Sequence, residues 1–242
     1  MLKDHKDAQG HAFLDHLLGK AISEIVERDD GYIEVSGSPA IYFREFGEWG
    51  PHEKEAMKYV RGKVLDIGCG AGRHALYLQE RGFEVLGIDL SPLAIEVCRK
   101  RGLKKAKVLS VTQISAKLGK FDTVLMLGNN FGLVENPRRA RWFLKRFRAI
   151  TTERGRIIAE TLDPYRTDNP DHLSYHEFNR KRGRMPGQVR IRIRYRKYKT
   201  PWFGYLFVSK EELKDILKDT GWFVVKYLDR PGGNYMAIMD RI

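Results

Sequence analysis

The sequence predicts an α/β protein with a doubly wound, seven-stranded, mostly parallel sheet. Short apolar runs alternate along the chain with amphipathic helical patterns, as in successive βαβ units. One of these units has a glycine-rich turn between its strand and its helix. A chain of 242 residues is long enough for one such domain and an additional segment, with a substantial core.

The N-terminal part is predicted to be a helical extension covering residues 1–60. Apolar residues recur at intervals of three and four between about residues 11 and 27, which predicts one amphipathic helix there. Residues 32–35 fit a short strand or an extended lid, and Pro51 starts a helix that runs to about Val60. The helical stripe is explained by packing on the rest of the protein, with partner binding as the alternative.

A glycine turn follows the first apolar strand of the main domain. The strand Val64–Ile67 leads into Gly68-Cys69-Gly70-Ala71-Gly72, then into a helix over about 73–81 and a second strand over 83–88 that stops at Asp89. Glycine lets the backbone turn sharply and approach a ligand closely, and the first amides of the helix point at that ligand. This order is half of a nucleotide-binding α/β domain.

Details of the turn distinguish between two ligand classes. A dinucleotide site needs glycines spaced G-x-G-x-x-G, but here the third glycine comes one residue early and Arg73 fills its place. Asp66 would repel a pyrophosphate, whereas it suits the ammonium group of a methionine moiety. Asp89 is placed to accept hydrogen bonds from both ribose hydroxyls. The pattern therefore favours S-adenosylmethionine.

Residues 64–72 and 87–91 resemble the first motif and the ribose-binding turn of the class I (Rossmann-like) S-adenosylmethionine-dependent methyltransferases. The resemblance implies that residues 61–242 form the methyltransferase domain, that the last strand is antiparallel, and that residues 1–60 include a cofactor lid. It also implies S-adenosyl-L-methionine as the cofactor, with these candidate contacts: Tyr42, Arg44, Asp66, Gly68, Cys69, Gly70, Asp89, Leu90, Ser110, Thr112 and Gly128.

The segment after the second strand is expected to hold adenine. Ser91-Pro92 begins a helix to about Arg101, and Val108-Leu109 is a short third strand. Family members often have an acid just after that strand, whereas this chain has Ser110-Val111-Thr112-Gln113. Adenine is therefore expected to be held by backbone groups and by one of the hydroxyls of Ser110 and Thr112.

The fourth strand, 121–127, is almost wholly apolar and runs into Gly128-Asn129-Asn130-Phe131-Gly132. In class I enzymes the acceptor lies at this position. The sequence loosely resembles the motif of methyltransferases acting on adenine or cytosine amines, although it lacks their prolines. Asn129 and a backbone carbonyl near Asn130 are the predicted catalytic acceptors of amine hydrogens, and Phe131 is the predicted stacking face. Small-molecule N-methyltransferases have similar runs, and asparagines also simply shape turns.

A basic insertion is predicted between about residues 162 and 208, after the fifth strand at 156–161. It begins with Asp163-Pro164-Tyr165 and a predicted polar loop. Apolar residues then alternate with arginines over 189–196, which predicts a strand, and 202–207 is the expected antiparallel return strand. By the resemblance, this insertion forms part of the acceptor site. The arginines could pair with successive phosphates of RNA, or could protect a sheet edge from aggregation, and the predicted nucleic-acid contacts are Arg190, Arg192, Arg194 and Arg196.

The rest of the chain completes the predicted sheet. Asn136-Pro137 starts a helix ending near Ile150, a capping box at Ser209 starts another to about Thr220, and the final strands are 222–228 and 235–239.

Charge and cysteine content bound the possible partners. The formal net charge is +13, and it is unevenly distributed: residues 1–60 have 7 Lys/Arg against 12 Asp/Glu, and the remainder has 37 against 19. A basic catalytic body indicates a polyanionic partner, with nucleic acid first. The two cysteines, Cys69 and Cys98, provide no disulfide framework or paired metal-ligand spacing, so no metal is expected.

The expected setting is cytoplasmic, without a membrane partner, because no apolar run reaches eighteen residues and the first ten residues are charged. We expect a monomer. The leading functional interpretation is N-methylation of an exocyclic amine in RNA, with ribosomal cytosine or adenine as the guess. The rival is methylation of a small-molecule amine or metabolite, and a third possibility is an RNA assembly factor that has lost catalysis.

Overall fold

The structure, a computed structural model, describes residues 2–242; Met1 of the predicted extension lies outside this range. Short 3-10 turns connect several of the regular elements. The helices are α1 (Ala8–Leu17), α2 (Pro51–Met57), α3 (Arg73–Glu80), α4 (Pro92–Lys100), α5 (Pro137–Ile150), α6 (Pro170–Lys181) and α7 (Lys210–Leu217). The strands are β1 (Glu24–Arg28), β2 (Ile33–Gly37), β3 (Val64–Ile67), β4 (Val85–Asp89), β5 (Ala106–Val108), β6 (Phe121–Met126), β7 (Thr151–Leu162), β8 (Gln188–Tyr195), β9 (Tyr198–Lys199), β10 (Phe203–Leu206), β11 (Trp222–Asp229) and β12 (Asn234–Arg241).

The main sheet has seven strands in the order β11-β12-β7-β6-β3-β4-β5. Strands β3 to β7 run parallel to one another, and β12 is antiparallel to both β7 and β11. The predicted fold, including the antiparallel last strand, is confirmed. All four residues of β3 are buried, because helices cover both faces of a parallel sheet. Two large hydrophobic clusters, one on each side of this sheet, form the core.

A second, five-stranded antiparallel sheet combines the N-terminal segment with the insertion. Its order is β10-β8-β1-β2, with β9 added to β8. Glu27 of β1 is paired with Arg192 of β8, so residues far apart in sequence meet at its centre. The expected strands at 32–35, 189–196 and 202–207 correspond to β2, β8 and β10. We refer to these five strands as the lid sheet.

The prediction of one helix from residue 11 to residue 27 is wrong. The helix α1 ends at Leu17, Gly19 adopts φ +71°, and Ile25 and Val26 lie in β1. A glycine in the left-handed region just beyond a helix is a common termination signal. The apolar residues beyond Gly19, such as Ile25 and Val26, belong to β1, a half-buried strand that hydrogen-bonds to β8. Their spacing resembles that of a helix by coincidence.

The polar loop predicted at the start of the insertion contains a helix, α6. Asn169 caps it by accepting a hydrogen bond from the Asp171 amide at 2.9 Å, and Pro170 occupies its first turn. Asn179 is buried and donates to the carbonyls of Pro186 and Gln188 at 3.1 and 2.8 Å, which ties the helix to the start of β8. Its weakly amphipathic sequence offered little periodicity to detect.

Candidate active site

A cavity of about 990 Å³ lies between the two sheets. On one side it is bordered by the carboxyl ends of β3, β4 and β6, and on the other by residues of β1, β8 and β10. In an open α/β sheet, ligands bind where neighbouring strands connect in opposite directions, which here is between β3 and β6. The lid sheet therefore covers the crevice in which this fold binds its ligands.

The glycine turn forms one wall of the cavity. Gly68 and Gly70 have φ of +68° and +54°, a region that side chains with a Cβ rarely adopt. A Cβ on Gly68 would come within 2.5 Å of the Asn130 side chain. Both positive φ and close packing thus require glycine at residue 68, and its backbone is exposed to the cavity.

Asp89 lies at the end of β4 and lines the cavity. Its Oδ2 accepts from the Gly70 amide at 3.0 Å, and its Oδ1 accepts from the Ser91 amide at 2.9 Å. These bonds fix the carboxylate against the glycine turn, and each oxygen keeps a further lone pair for a ligand hydroxyl. Burial raises the pKa of Asp89 to about 6, against the lowering effect of the two amides. Leu90, the next residue, is exposed and also lines the cavity.

Asp66 lies behind the wall and not in it. It is 2% exposed, and within residues 2–242 its Oδ2 has no hydrogen-bond partner. Burial, followed by repulsion from Asp89, raises the pKa of Asp66 to about 7. An unpaired buried carboxylate is costly unless a positive charge compensates it. Its predicted contact with the ammonium of S-adenosylmethionine stays a prediction, because the side chain does not reach the cavity surface.

The other predicted cofactor residues all line the same cavity. The Tyr42 hydroxyl is 3.3 Å from the Gln9 amide nitrogen, and Arg44 is exposed at the rim. The hydroxyls of Ser110 and Thr112 are 2.9 Å apart, next to the carboxyl end of β5. Cys69 and Gly128 complete the set. Their contacts with a bound cofactor remain predictions.

Sequence analysis missed the contribution of α1. Asp7 caps this helix through the Gly10 amide, and its other oxygen accepts from the Ser91 hydroxyl at 2.8 Å and from the Leu93 amide at 3.2 Å. Asp7 therefore joins α1 to the N-terminus of α4, directly beside Asp89. Phe13 of α1 also reaches the cavity wall near Gly70. The only signal in the sequence was an acid at a helix N-cap, which is too common to indicate a site.

The asparagines after β6 both line the cavity, but their hydrogen bonds hold the turn itself. Asn129 has φ +63°; its Oδ1 accepts from the Asn234 side chain at 3.0 Å, and its carbonyl accepts from the Tyr205 hydroxyl at 2.5 Å. Asn130 donates its amide to the carbonyls of Ile67 and Gly68 at 3.0 and 2.9 Å. Their catalytic role stays a prediction, and the turn-shaping alternative has direct geometric support.

Phe131 does not offer a stacking face. It is 1% exposed and packs within the core beneath the turn, so the stacking role predicted for it is wrong. A 3-10 helix over Asn130–Val134 directs the Phe131 side chain inwards, and the sequence pattern does not show this helix. Other aromatic rings do line the cavity, among them Phe203 and Tyr205 of the lid sheet and Phe207 just after it.

Glu160 of β7 is a second residue that sequence analysis missed. It is 5% exposed and lines the cavity, and its Oε2 accepts from the Gly128 amide at 2.7 Å. Burial raises the pKa of Glu160 above its ordinary value. An acid directly after the apolar run 157–159 of β7 was the available signal, because acids are rarely buried without a partner.

The arginines of β8 point away from the cavity. Val189, Ile191 and Ile193 line it, whereas Arg192 makes two hydrogen bonds to Glu27 at 2.7 and 2.8 Å on the other face. Arg194 lies 3.4 Å from the same carboxylate, and Arg196 lies 2.8 Å from Asp15. Arg190 is exposed, with its guanidinium 5.9 Å from the ring centre of Trp202. Three of the four arginines predicted to bind nucleic acid thus already have carboxylate partners.

Within residues 2–242, no helix combines the length and the apolar character needed to cross a membrane. The same part of the chain contains no group of three or more His, Cys, Asp or Glu residues arranged to hold a metal ion.

Comparison with known proteins identifies the fold family. A family model described as "Methyltransferase domain" matches residues 64–155. The crystal structure of a SAM-dependent methyltransferase from Bacteroides fragilis, in complex with S-adenosyl-L-homocysteine, superimposes with a TM-score of 0.83 at 26% identity, covering 100% of this chain and 97% of that one.

Among curated relatives, a 2-heptyl-1-hydroxyquinolin-4(1H)-one methyltransferase from Mycobacteroides abscessus is 38% identical over 72 residues, which is 27% of this chain and 32% of the relative. A tRNA (uracil(54)-C(5))-methyltransferase from Pyrococcus horikoshii is 36% identical over 85 residues, covering 33% and 21% respectively. The chain thus spans about a third or less of the length of either. Residues 64–155 therefore match a methyltransferase domain, and the chain has the class I, Rossmann-like fold of the S-adenosylmethionine-dependent methyltransferases.

Proposed function

We propose that the protein transfers the methyl group of S-adenosylmethionine to a small molecule enclosed between the two sheets. The observation that carries this proposal is the composition of the cavity wall opposite the glycine turn. Apolar and aromatic side chains of the lid sheet form it, including Ile191, Ile193 and Phe203. Such a wall suits the body of a small organic acceptor, as in other concave, mostly apolar ligand sites.

The donor end is assigned to the glycine turn and the two acids beside it. Asp89 is held by the Gly70 and Ser91 amides and is available to ribose hydroxyls. The unpaired carboxylate of Asp66, behind the wall, is the proposed counter-charge of the methionine ammonium. The bound donor supplies an already activated methyl group, so this chain's task is alignment of the acceptor and exclusion of water. Alignment of this kind can lower a barrier by roughly 7 kcal/mol or more.

Methylation of an RNA base is the second candidate. The net charge of +13 and the partial match to a tRNA methyltransferase favour it. Against it, Arg192, Arg194 and Arg196 are paired with carboxylates of the chain itself and lie on the face away from the cavity. These arginines would have to exchange existing partners for phosphates, which reduces the net gain from each phosphate contact.

The two candidates differ in where a methyl group from labelled donor is incorporated. The purified protein should be incubated with methyl-labelled S-adenosylmethionine and, separately, with small-molecule extract and with total RNA from the source cells. We expect label in the small-molecule fraction, at a rate that changes little between 50 and 200 mM salt. Label in RNA, with a rate that falls steeply with salt, would replace the proposal by the RNA candidate.

A further inference from the structure

We propose that the acceptor is an amine and that Glu160 binds its nitrogen. This inference rests on the proposed function, because it concerns the acceptor end of the same cavity. It begins from a contrast in charge: the chain carries +13, yet among the described residues the cavity is lined by seven carboxylates and only five arginines. A basic protein has thus placed an acidic interior where its substrate binds.

Existing ion pairs already neutralise three of the five arginines, and two of the seven carboxylates with them. Arg28 is paired with Asp30, Arg73 with Glu53 and Arg139 with Glu135, at 2.7, 2.6 and 3.1 Å respectively. The two remaining arginines, Arg44 and Arg230, are exposed at the cavity edge, as are Glu34 and Glu48. The carboxylates left inside are those of Asp7, Asp89 and Glu160. An anionic acceptor would therefore meet uncompensated carboxylates inside, whereas a cationic or hydrogen-donating acceptor would be favoured.

Glu160 is the carboxylate best placed to receive such an acceptor. It sits on β7 next to Gly128, at the end of the neighbouring strand β6, and only one of its oxygens is engaged. Within residues 2–242, Oε1 has no hydrogen-bond or ion-pair partner, although the residue is 95% buried in a cavity wall. Oε1 is not among the fully buried atoms without a partner, so it is accessible and can accept a hydrogen bond from a ligand N–H.

The surroundings of Glu160 suit an amine with an apolar body. Tyr205 packs its ring on Gly132, where an added Cβ would lie 2.1 Å from the ring, and its hydroxyl is already bonded to the Asn129 carbonyl. The Tyr205 ring and the neighbouring Phe203 therefore present apolar surface close to the carboxylate. The charged groups facing Glu160 are Glu53, Arg73 and Arg230, and the first two neutralise each other.

The chemical step balances with these groups alone. An ammonium acceptor transfers one proton to the Glu160 carboxylate, and the freed nitrogen lone pair forms a bond to the methyl carbon. The carbon–sulfur bond breaks with its electron pair remaining on sulfur, which leaves S-adenosylhomocysteine and a methylated ammonium. The carboxyl group then loses its proton to solvent. Burial raises the pKa of Glu160, which brings it closer to that of the amine it deprotonates.

Binding of matched amine and alcohol probes tests this assignment. Benzylamine, phenethylamine and tyramine would be titrated by calorimetry into the protein saturated with S-adenosylhomocysteine, each beside the alcohol in which a hydroxyl replaces the amino group. We expect at least one amine to bind about tenfold more tightly than its alcohol, and Glu160→Gln to reduce that preference to about threefold or less. Glu153→Gln removes the same charge from an exposed position on β7 and should leave the preference unchanged.

Two results would overturn the proposal. One is that no amine binds more tightly than its alcohol to the wild-type protein; the other is that Glu160→Gln, still binding S-adenosylhomocysteine, keeps the full preference. If that variant fails to fold, the wild-type amine and alcohol pairs decide alone. Failure of the wild-type protein to bind S-adenosylhomocysteine at all would instead contradict the proposed function, so the two failures are distinguishable.

Discussion

The seven-stranded sheet and the lid sheet differ in how far apart in the sequence their site residues lie. The donor end is made by β3, α3 and β4, which follow one another within residues 64–89. The acceptor end requires β1 to pair with β8, and the Glu27–Arg192 contact joins residues 165 positions apart. Site residues that are close in sequence form a recognisable motif. Two distant strands that pair appear in the sequence as two separate amphipathic segments, and neither segment indicates the other.

Removing Asp89 should have the largest effect on the donor end. Asp89→Ala deletes the acceptor of the Gly70 and Ser91 amides as well as the proposed ribose ligand. Since hydrogen bonds to charged groups contribute about 1.5–3 kcal/mol each, we expect S-adenosylhomocysteine affinity to fall about 100-fold or more. Calorimetry measures this, with the exposed Asp168→Ala as the control. An affinity within threefold of wild type would remove Asp89 from the donor site.

Asp7 tests whether the N-terminal helix belongs to the donor end. Asp7→Ala leaves the Ser91 hydroxyl and the Leu93 amide without their acceptor, at a cost of about 1–3 kcal/mol in the free energy of unfolding. We expect a lower melting temperature and about tenfold weaker binding of S-adenosylhomocysteine. Asp4→Ala, an exposed substitution one turn earlier, should change neither. Unchanged donor affinity in Asp7→Ala would separate α1 from the site.

The pH dependence of donor binding sharpens the role of Asp66. Its pKa in the folded protein, about 7, lies above the ordinary 3.8, so the ligand-free protein gains stability at low pH and loses that gain as pH rises through 7. Donor binding has the opposite dependence, because the ammonium needs the carboxylate. The rise in melting temperature caused by S-adenosylhomocysteine should therefore increase from pH 6 to pH 8.

Asp66→Asn separates the contribution of Asp66 to the pH dependence of donor binding from that of Asp89, whose pKa is about 6. The variant should bind donor product more weakly and lose most of the increase between pH 6 and pH 8. Affinity in the wild type can change by up to about tenfold per pH unit below the pKa of one linked group. A wild-type response that is flat over this range would contradict the assignment.

Tyr205 tests the connection between the lid sheet and the turn after β6. Tyr205→Phe removes the hydrogen bond to the Asn129 carbonyl and should cost about 0.5–1.5 kcal/mol in stability. We expect a several-fold lower rate of methyl transfer with unchanged S-adenosylhomocysteine binding, since the donor end is not touched. The control is Tyr165→Phe, which removes an exposed hydroxyl bonded to Glu212. Equal rates for both variants would show that the contact does not position the turn.

The smallest effects should come from the arginines of β8. Arg192→Ala breaks the pair with Glu27 between β8 and β1 and should lower the melting temperature slightly, whereas the exposed Arg190→Ala should leave it unchanged. Neither substitution should alter the rate with a small acceptor. A salt-dependent RNA gel shift abolished by Arg190→Ala would instead favour the RNA candidate.

Prediction succeeded best where residues are close in sequence. Gly68, Gly70 and Asp89 were identifiable as cavity residues because they lie within one strand–helix–strand unit, and their contacts with a cofactor stay a prediction. The strand character of Ile25 and Val26 was not identifiable, because helix-like spacing in that stretch is overridden by a partner strand 165 residues away. Phe131 shows a third limit, because it is adjacent to cavity residues in sequence but its side chain points into the core. Only the backbone conformation of the turn determines whether such a side chain faces the core or the cavity.

The β1–β8 pairing also constrains the order of events during synthesis. After Glu27 is made, 165 further residues must be added before Arg192 exists, which takes roughly 10 to 30 s at 5–20 residues per second. For that interval β1 lacks its β8 partner, and an isolated β1–β2 hairpin is marginally stable at best. The charge of Glu27 on β1 disfavours pairing of this edge with other chains. A ribosome-bound chain that has not yet extended past β10 therefore cannot complete the lid sheet or the cavity beneath it.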